Sequence, residues 1–254
     1  MTAVYRRGFD AHTHVGEPVF DDDRMSALQR AHHRGVSGLA MATGDPDRLP
    51  RLREIAAQLG VVLSVGLHPW WVRADSRVED VVRMLETNAP VAVGEVGLDR
   101  LHPHWEQQGR IFSAQLDWAH RHHRPVVVHA VRSVDEVLAE FGRRPGLRMM
   151  IHGFTGSVQQ ARRATDLGIH LSIGPAAMRA AGRTADVIRA IPVALLLLET
   201  DAPHHPLVAG ERGEPADLIA VAEAVAQLRD VDPVALLAKT GDTARRFFGV
   251  EDDR

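Results

Sequence analysis

His12 and His14 stand one residue apart in FDAHTHVGEP, residues 9–18. Side chains i and i+2 of an extended strand point the same way, so the two imidazoles would share a face and could share an ion. The competing explanation is chance, because the chain carries 15 histidines. What decides between the two is whether other metal-ligating groups fall where they can meet this pair. His68, Glu95, His129, His152 and Asp201 each lie in or at the end of a short apolar run.

The runs that must position these groups alternate with amphipathic stretches. Strands are expected at 4–12, 37–43, 61–68, 91–99, 125–130, 148–154, 169–174 and 194–201. Helices are expected at 25–35, 49–60, 78–86, 106–123, 134–142, 158–168, 184–191 and 216–230, many closing on glycine. Eight strands, each followed by a helix, predict an α/β fold, a (β/α)8 TIM barrel. The continuous apolar runs suit parallel strands covered on both faces. A doubly wound open sheet is the competitor, since the same alternation feeds both folds. A last helix at 232–249 would pack outside the barrel. No linker, low-complexity tract or charge block divides the sequence, so residues 1–254 are expected to form a single domain.

Composition narrows the chemistry. Hydrophobic residues make up 45%, enough for a substantial core, and there is no cysteine. Disulfides and thiolate metal sites are therefore excluded, and any metal must rest on His, Asp, Glu, backbone or water. A cysteine-free chain suits the cytoplasm. The opening residues lack the long apolar run of a signal peptide or membrane span, and the four leucines at 195–198 are too few to cross a bilayer. Neither a membrane role nor a protein partner is inferred. A net charge of −3 gives no global pull toward nucleic acid.

In a barrel of this kind the active site lies at the C-terminal ends of the strands. His12 and His14 end the first expected strand and His68 the third. Glu95 lies in the fourth, His129 in the fifth, His152 in the sixth and Asp201 at the end of the eighth. Scattered core histidines would not all choose one end. Six of these seven form a dinuclear set. Glu95, on a middle strand, is the natural bridge; His12, His14 and Asp201 would hold one ion, and His129 and His152 the other. Imidazoles with carboxylates suit zinc, manganese or iron, and carboxylates with water suit magnesium better. Two ions about 3.5–4 Å apart lower the pKa of a shared water and stabilise charge on the attacked group. Asp201 could accept that water's proton. By contrast, His32, His33, His120, His122 and His123 fall on expected helices and read as solvated, and His170 begins a strand and should face the opposite rim.

At these residues the sequence resembles the TatD family of metal-dependent hydrolases, among the amidohydrolase-like barrels. The likeness runs in order over nearly the whole chain. FDAHTH resembles the family's opening HxH, GLHPWW its G-[IVL]-H-P segment and AVGEVGLD its G-E-x-G-L-D block. PVVVHA, IHGFTGS and LLLLETDAP are similar to its P-V-x-x-H, H-x-F-[ST]-G and E-T-D-[AS]-P blocks. The resemblance implies a TIM barrel holding two divalent ions (Zn, Mn or Mg). It carries the family's ligand positions onto His12, His14, Glu95, His129, His152 and Asp201. It also implies a DNase, with 3′→5′ exonucleases among the family's members, and hence DNA or another phosphodiester as the substrate.

The departures lie on the substrate side. Many members carry C-R-D after the fifth-strand histidine, where this chain has Ala130-Val131-Arg132; an acid is lost and an arginine moves by one position. After the last strand His204 stands where many members have tyrosine, and Gly213 replaces the asparagine of R-N-E-P. His68, Arg132 and His204 are the candidate substrate contacts, although His68 before Pro69 could instead stabilise its loop. Glu199 and Asp10 each lie two residues before a ligand and are expected to orient it. Arg100, Arg132, Arg179, Arg183 and Arg212 follow strands or lie in their loops, where phosphate needs cations, though any one such arginine is more often a surface charge. Trp70 and Trp71 could stack on a base, or pack a loop against the barrel. GEVGLD lacks the lysine and spacing of a phosphate loop.

Three functions follow. The first is a metal-dependent hydrolase cleaving phosphodiesters, a TatD-type DNase with Glu95 and Asp201 at its chemical centre. The second keeps the site but turns over an amide, ester or lactone. The third is a non-catalytic metal-binding barrel, which the complete ligand set argues against.

Overall fold

The computed structural model describes residues 7–250. Eight parallel strands form one sheet in sequential order: β1 (Gly8–Thr13), β2 (Val36–Thr43), β3 (Val62–Val65), β4 (Ala92–Asp99), β5 (Val126–Val131), β6 (Met149–Ile151), β7 (His170–Ile173) and β8 (Leu196–Leu198). Helices α1 (Arg24–Arg34), α2 (Leu49–Leu59), α3 (Val78–Asn88), α4 (Trp105–Arg121), α5 (Val134–Gly142), α6 (Val158–Asp166), α7 (Arg183–Ala190) and α8 (Leu218–Arg229) follow the strands in turn, and α9 (Pro233–Phe248) comes last. The sheet closes between its first and last strands. Asp201 donates its N–H to the His12 carbonyl at 3.0 Å, and His14 donates to the Ala202 carbonyl at 2.7 Å. This is a (β/α)8 barrel and not the open doubly wound sheet. Residues 4–6 of the expected first strand lie outside the described residues. No helix among the described residues is long and apolar enough to cross a membrane.

Two apolar layers hold the barrel. Outside, Val96, Leu98, Val126, Val128, Met149, Ile151, Leu171, Leu196 and Leu198 pack against helix residues such as Phe112, Leu116, Val137 and Ile188. Inside, Phe9, Ala11, Ala40, Val62, Ala92, Val127, Met150 and Leu197 meet one another and Phe247 and Phe248 of α9. Phe248 stacks on Phe9 with centroids 5.8 Å apart, so the end of α9 plugs the N-terminal floor of the barrel. Each fully buried aromatic of this size contributes roughly 1.5–3 kcal/mol from the area it removes from water.

The hydrogen-bonded strands are shorter than the apolar runs that encode them. β3 stops at Val65, β6 at Ile151 and β8 at Leu198, each a few residues before the expected end. The chain leaves the ladder there to turn polar side chains over the mouth. Gly153 and Asp201 both adopt positive φ, 53° in each case.

Candidate metal centre

Strict alternation from Phe9 and Ala11 would send His12 outward, away from the interior that those residues share. It faces inward because β1 shifts register against β2 between Asp10 and Thr13. β4 repeats the device. Ala92 belongs to the interior layer, the register shifts between Val93 and Val96, and Glu95 then points into the barrel instead of outward. An irregularity of this kind re-aims a side chain at the cost of ladder hydrogen bonds. β5 and β6 need none: Val127 and His129, and Met150 and His152, follow plain alternation.

The six expected ligands meet in two groups around Glu95. Its Oε2 lies 3.4 Å from His12 Nε2 and 3.5 Å from His14 Nε2. Its Oε1 lies 2.8 Å from His152 Nε2 and 3.0 Å from His129 Nδ1. The imidazole nitrogens face one another within each group, His12 Nε2 to His14 Nε2 at 3.2 Å and His129 Nδ1 to His152 Nε2 at 3.3 Å. Asp201 Oδ1 completes the first group, 3.3 Å from His14 Nε2 and 3.6 Å from His12 Nε2. Donors about 2.1 Å from a common cation are spaced by about 3.0–3.4 Å, so these separations are those of ligands around an ion. Asp201 Oδ1 is buried without a hydrogen-bond partner, an arrangement that a cation relieves. The residues present fit divalent metal.

His68 joins the second group, with Nε2 3.1 Å from Glu95 Oε1. Its position would let it share an ion with Glu95 and His129. Its tautomer argues otherwise. Nδ1 accepts the Trp70 backbone N–H at 3.1 Å, so the ring proton sits on Nε2 and is donated to Glu95. A neutral ring in that state has no lone pair left for a metal.

The charges are coupled. Burial pushes the Glu95 carboxyl up, but the imidazoles of His152, His68 and His12 outweigh it and hold the group well below the usual carboxylate range. Burial likewise raises Asp201, and its contact with His14 overrides that and keeps it anionic. Burial opposes protonation of His14, yet Asp201 and Glu95 lift it to about 9. His152 is raised well above the ordinary value because Glu95 and Glu199 outweigh burial. His12 and His68 are lowered, chiefly by burial. A cation held at the centre would supply the positive charge that the carboxylates here draw from His14 and His152.

A second ring of residues fixes these side chains. Asp99 Oδ2 faces His129 Nε2 at 3.3 Å, so the lone pair of Nδ1 is aimed at the centre. The same carboxylate accepts the Trp70 indole N–H at 2.7 Å and the Leu101 N–H at 2.8 Å. Glu199 accepts the Gly153 N–H at 2.7 Å and the Ser172 hydroxyl, and it stands behind His152, 3.6 Å from Nδ1, and not behind Asp201. Asp10 acts differently from its expected role. It accepts the Thr200 N–H at 2.9 Å and the Thr200 hydroxyl at 2.5 Å, so it ties β1 to the chain after β8 instead of orienting the His12 ring. Burial pushes its carboxyl up to about 8.

Sequence reasoning missed three supports. Asp99 lies four residues after Glu95 in one strand and so shares its face, a signal that alternation supplies. Gln108 and Gln115 lie seven apart on α4, one helical face, and both are fully buried. Gln108 accepts the Asp99 N–H at 2.9 Å, and Gln115 accepts the Leu67 N–H at 2.7 Å and donates to the Leu67 carbonyl at 3.2 Å. Two glutamines on an otherwise apolar helix face are the mark of this. The glycines of GEVGLD serve close approach: a Cβ on Gly97, whose φ is +149°, would lie 1.9 Å from the His129 carbonyl oxygen.

The model of the family described as TatD related DNase matches residues 9–249. The chain belongs to that family. An uncharacterized metal-dependent hydrolase of Escherichia coli K12, YjjV, is 35% identical over 218 residues, 82% of this chain and 84% of that protein. The 3′-5′ ssDNA/RNA exonuclease TatD of Yersinia pseudotuberculosis is 33% identical over 260 residues, 94% and 98% of the two chains. The crystal structure of YjjV, described as a TatD homologue, superposes with a TM-score of 0.88 at 32% identity, covering 96% of this chain and 99% of that one.

In this TatD-family barrel the cluster forms the floor of a cavity of about 970 Å³ at the mouth. His68 and His204 line it. His204 is half-exposed, 3.6 Å from Glu17 Oε1, with its ring centroid 5.3 Å from that of His14. Arg132 is exposed just after β5 and is not among the lining residues. Arg100 pairs with Glu136 and lies over the Trp105 ring. Arg212 pairs with Asp23 at 2.5 Å and Glu214 at 3.0 Å and covers Phe20, so both arginines are committed to structure. Arg179 and Arg183 line the cavity.

Proposed function

We propose that this TatD-family hydrolase, one barrel domain, is a nuclease that cleaves phosphodiester bonds of single-stranded nucleic acid with two divalent ions. The observation that carries this is the division of Glu95, one carboxylate oxygen toward His12 and His14 and the other toward His129 and His152. His12, His14 and Asp201 would hold one ion, His129 and His152 the other, with Glu95 shared. The imidazole-rich donor set favours zinc or manganese over magnesium. The ions supply Lewis acidity to the phosphoryl oxygens and a water acidic enough to attack at neutral pH.

The chain's own groups do the rest. Asp201 is held anionic, and its Oδ2, 3.6 Å from His205 Nε2, takes the proton from the attacking water. Asp99 and Glu199 keep the His129 and His152 rings in place. His68 donates its one ring N–H to Glu95 and holds that carboxylate in place. The named activity of the Yersinia relative on single-stranded DNA and RNA supports this substrate class. We place the activity in the cytoplasm, the compartment that a cysteine-free chain suits.

The test is a substrate panel with purified protein and added Zn²⁺, Mn²⁺ or Mg²⁺. Release of mononucleotides from single-stranded oligonucleotides, abolished by chelator, is expected. Turnover of a lactone or amide with none of any phosphodiester contradicts the proposal.

A further inference from the structure

The loop after β3 carries the sequence GLHPWW, and its two tryptophans are 55% and 44% exposed. Adjacent indoles in water are costly, and an exposed aromatic pair at a cavity mouth marks a contact surface. The two differ in how they are held. Trp70 is fixed: its Nε1 donates to Asp99 at 2.7 Å, and its ring stacks on His102 with centroids 4.8 Å apart. It belongs to the support of His129. Trp71 is anchored through its backbone N–H to the His68 carbonyl. Among the described residues its side chain has no hydrogen-bond or ring partner, yet it lines the same cavity as Glu95 and Asp201.

The sequential order of eight strands sets β3 and β7 on opposite sides of the barrel. After β7, Arg179 and Arg183 line the cavity from the far wall. Both are exposed, and neither has a carboxylate partner among the described residues, in contrast to Arg100 and Arg212. Forked guanidinium groups left unpaired at a cavity wall suit phosphate oxygens. An aromatic wall, a floor of metal-ligating groups and a cationic wall follow one another across the mouth. That sequence of surfaces matches an unpaired nucleic-acid strand, whose bases offer free π faces while its backbone carries charge.

We propose that the Trp71 indole is the stacking platform for a base beside the scissile phosphate, and that Arg179 and Arg183 hold phosphates of the same strand on the opposite wall. This deepens the nuclease reading above and rests on it. It assigns the preference for single strands to Trp71, since a base paired within a duplex has no face to offer.

The experiment measures binding by fluorescence anisotropy, using the metal-loaded protein and a labelled phosphorothioate oligonucleotide that resists cleavage. Trp71→Ala is expected to weaken binding by about 5- to 150-fold, the range of one lost base–aromatic stack. Trp71→Phe is expected to stay within about fivefold, because it keeps a π face. An abasic nucleotide moved along the strand should cost the wild type a similar factor at one position and cost Trp71→Ala nothing further there. The Arg179→Ala/Arg183→Ala variant should flatten the dependence of log K on log salt by about 1.4. Binding by Trp71→Ala within twofold of wild type, or an equal abasic penalty in both proteins, overturns the stacking assignment. An unchanged salt slope overturns the arginine assignment. Hydrolysis of bis(p-nitrophenyl) phosphate and of oligonucleotides by the wild type separates these failures from failure of the nuclease reading. If the wild type cleaves neither, that reading falls and this inference falls with it.

Discussion

The two ends of the barrel are built on opposite terms. At the floor, Phe9, Phe247 and Phe248 pack ring against ring over Ala92, Val127 and Met150 of the barrel interior. At the mouth, buried carboxylates face buried imidazoles, β1 and β4 break register beside His12 and Glu95, and Asp201 keeps an orphaned oxygen. The floor removes apolar area from water and is stabilising. The mouth buries charge that only a cation compensates fully, and is costly in the free chain. The same strands carry both ends, and the shifts beside His12 and Glu95 turn strands of the framework into bearers of the site.

Substitutions at the two ends should therefore separate activity from stability. Asp201→Asn removes the proton acceptor and one ligand. It should lower kcat by about 10²–10⁴ while leaving the unfolding midpoint of the metal-free protein equal or higher. Steady-state kinetics beside thermal unfolding checks both halves, and a destabilised but active variant would break the contrast. At the floor, Phe247→Ala should cost about 3–5 kcal/mol in urea unfolding, with the folded fraction keeping its full metal content.

Much of this was legible in the sequence. Eight apolar runs and their intervening helices follow from pattern alone, and all six candidate ligands come together as their order along the chain implies. What alternation could not show is the register shift in β1 and in β4, because a ladder irregularity depends on the neighbouring strand. Arg100 and Arg212 are, from sequence, surface charges or phosphate contacts, and their pairing with Glu136 and Asp23, distant in sequence, is what the spacing could not show. Asp10 looked like a ring-orienting group because spacing reports a shared face and says nothing of its real partner, Thr200.

A finer cut lies within the mouth. Asp99→Asn keeps shape but removes the carboxylate that fixes the His129 tautomer. Metal affinity should fall about 10- to 100-fold, read by competition with a chromophoric chelator. The smallest expected effect returns to the floor. Burial lowers the His170 imidazole to about 4, against an unfolded value near 6.5, so the unfolded chain binds the extra proton between these values. Its contribution is complete above pH 6.5 and is lost as pH falls toward 4. His170→Gln should remove about 1–2 kcal/mol of that acid-dependent loss, seen by comparing urea midpoints at pH 7 and pH 4.5.

The central claim is that Glu95 joins two ion sites into one. Elemental analysis of protein reconstituted with Zn²⁺ or Mn²⁺ and freed of excess metal tests it most directly. Two ions per wild-type chain are predicted, falling to one or none in Glu95→Gln. A single ion in the wild type, or two retained after that substitution, would contradict the account.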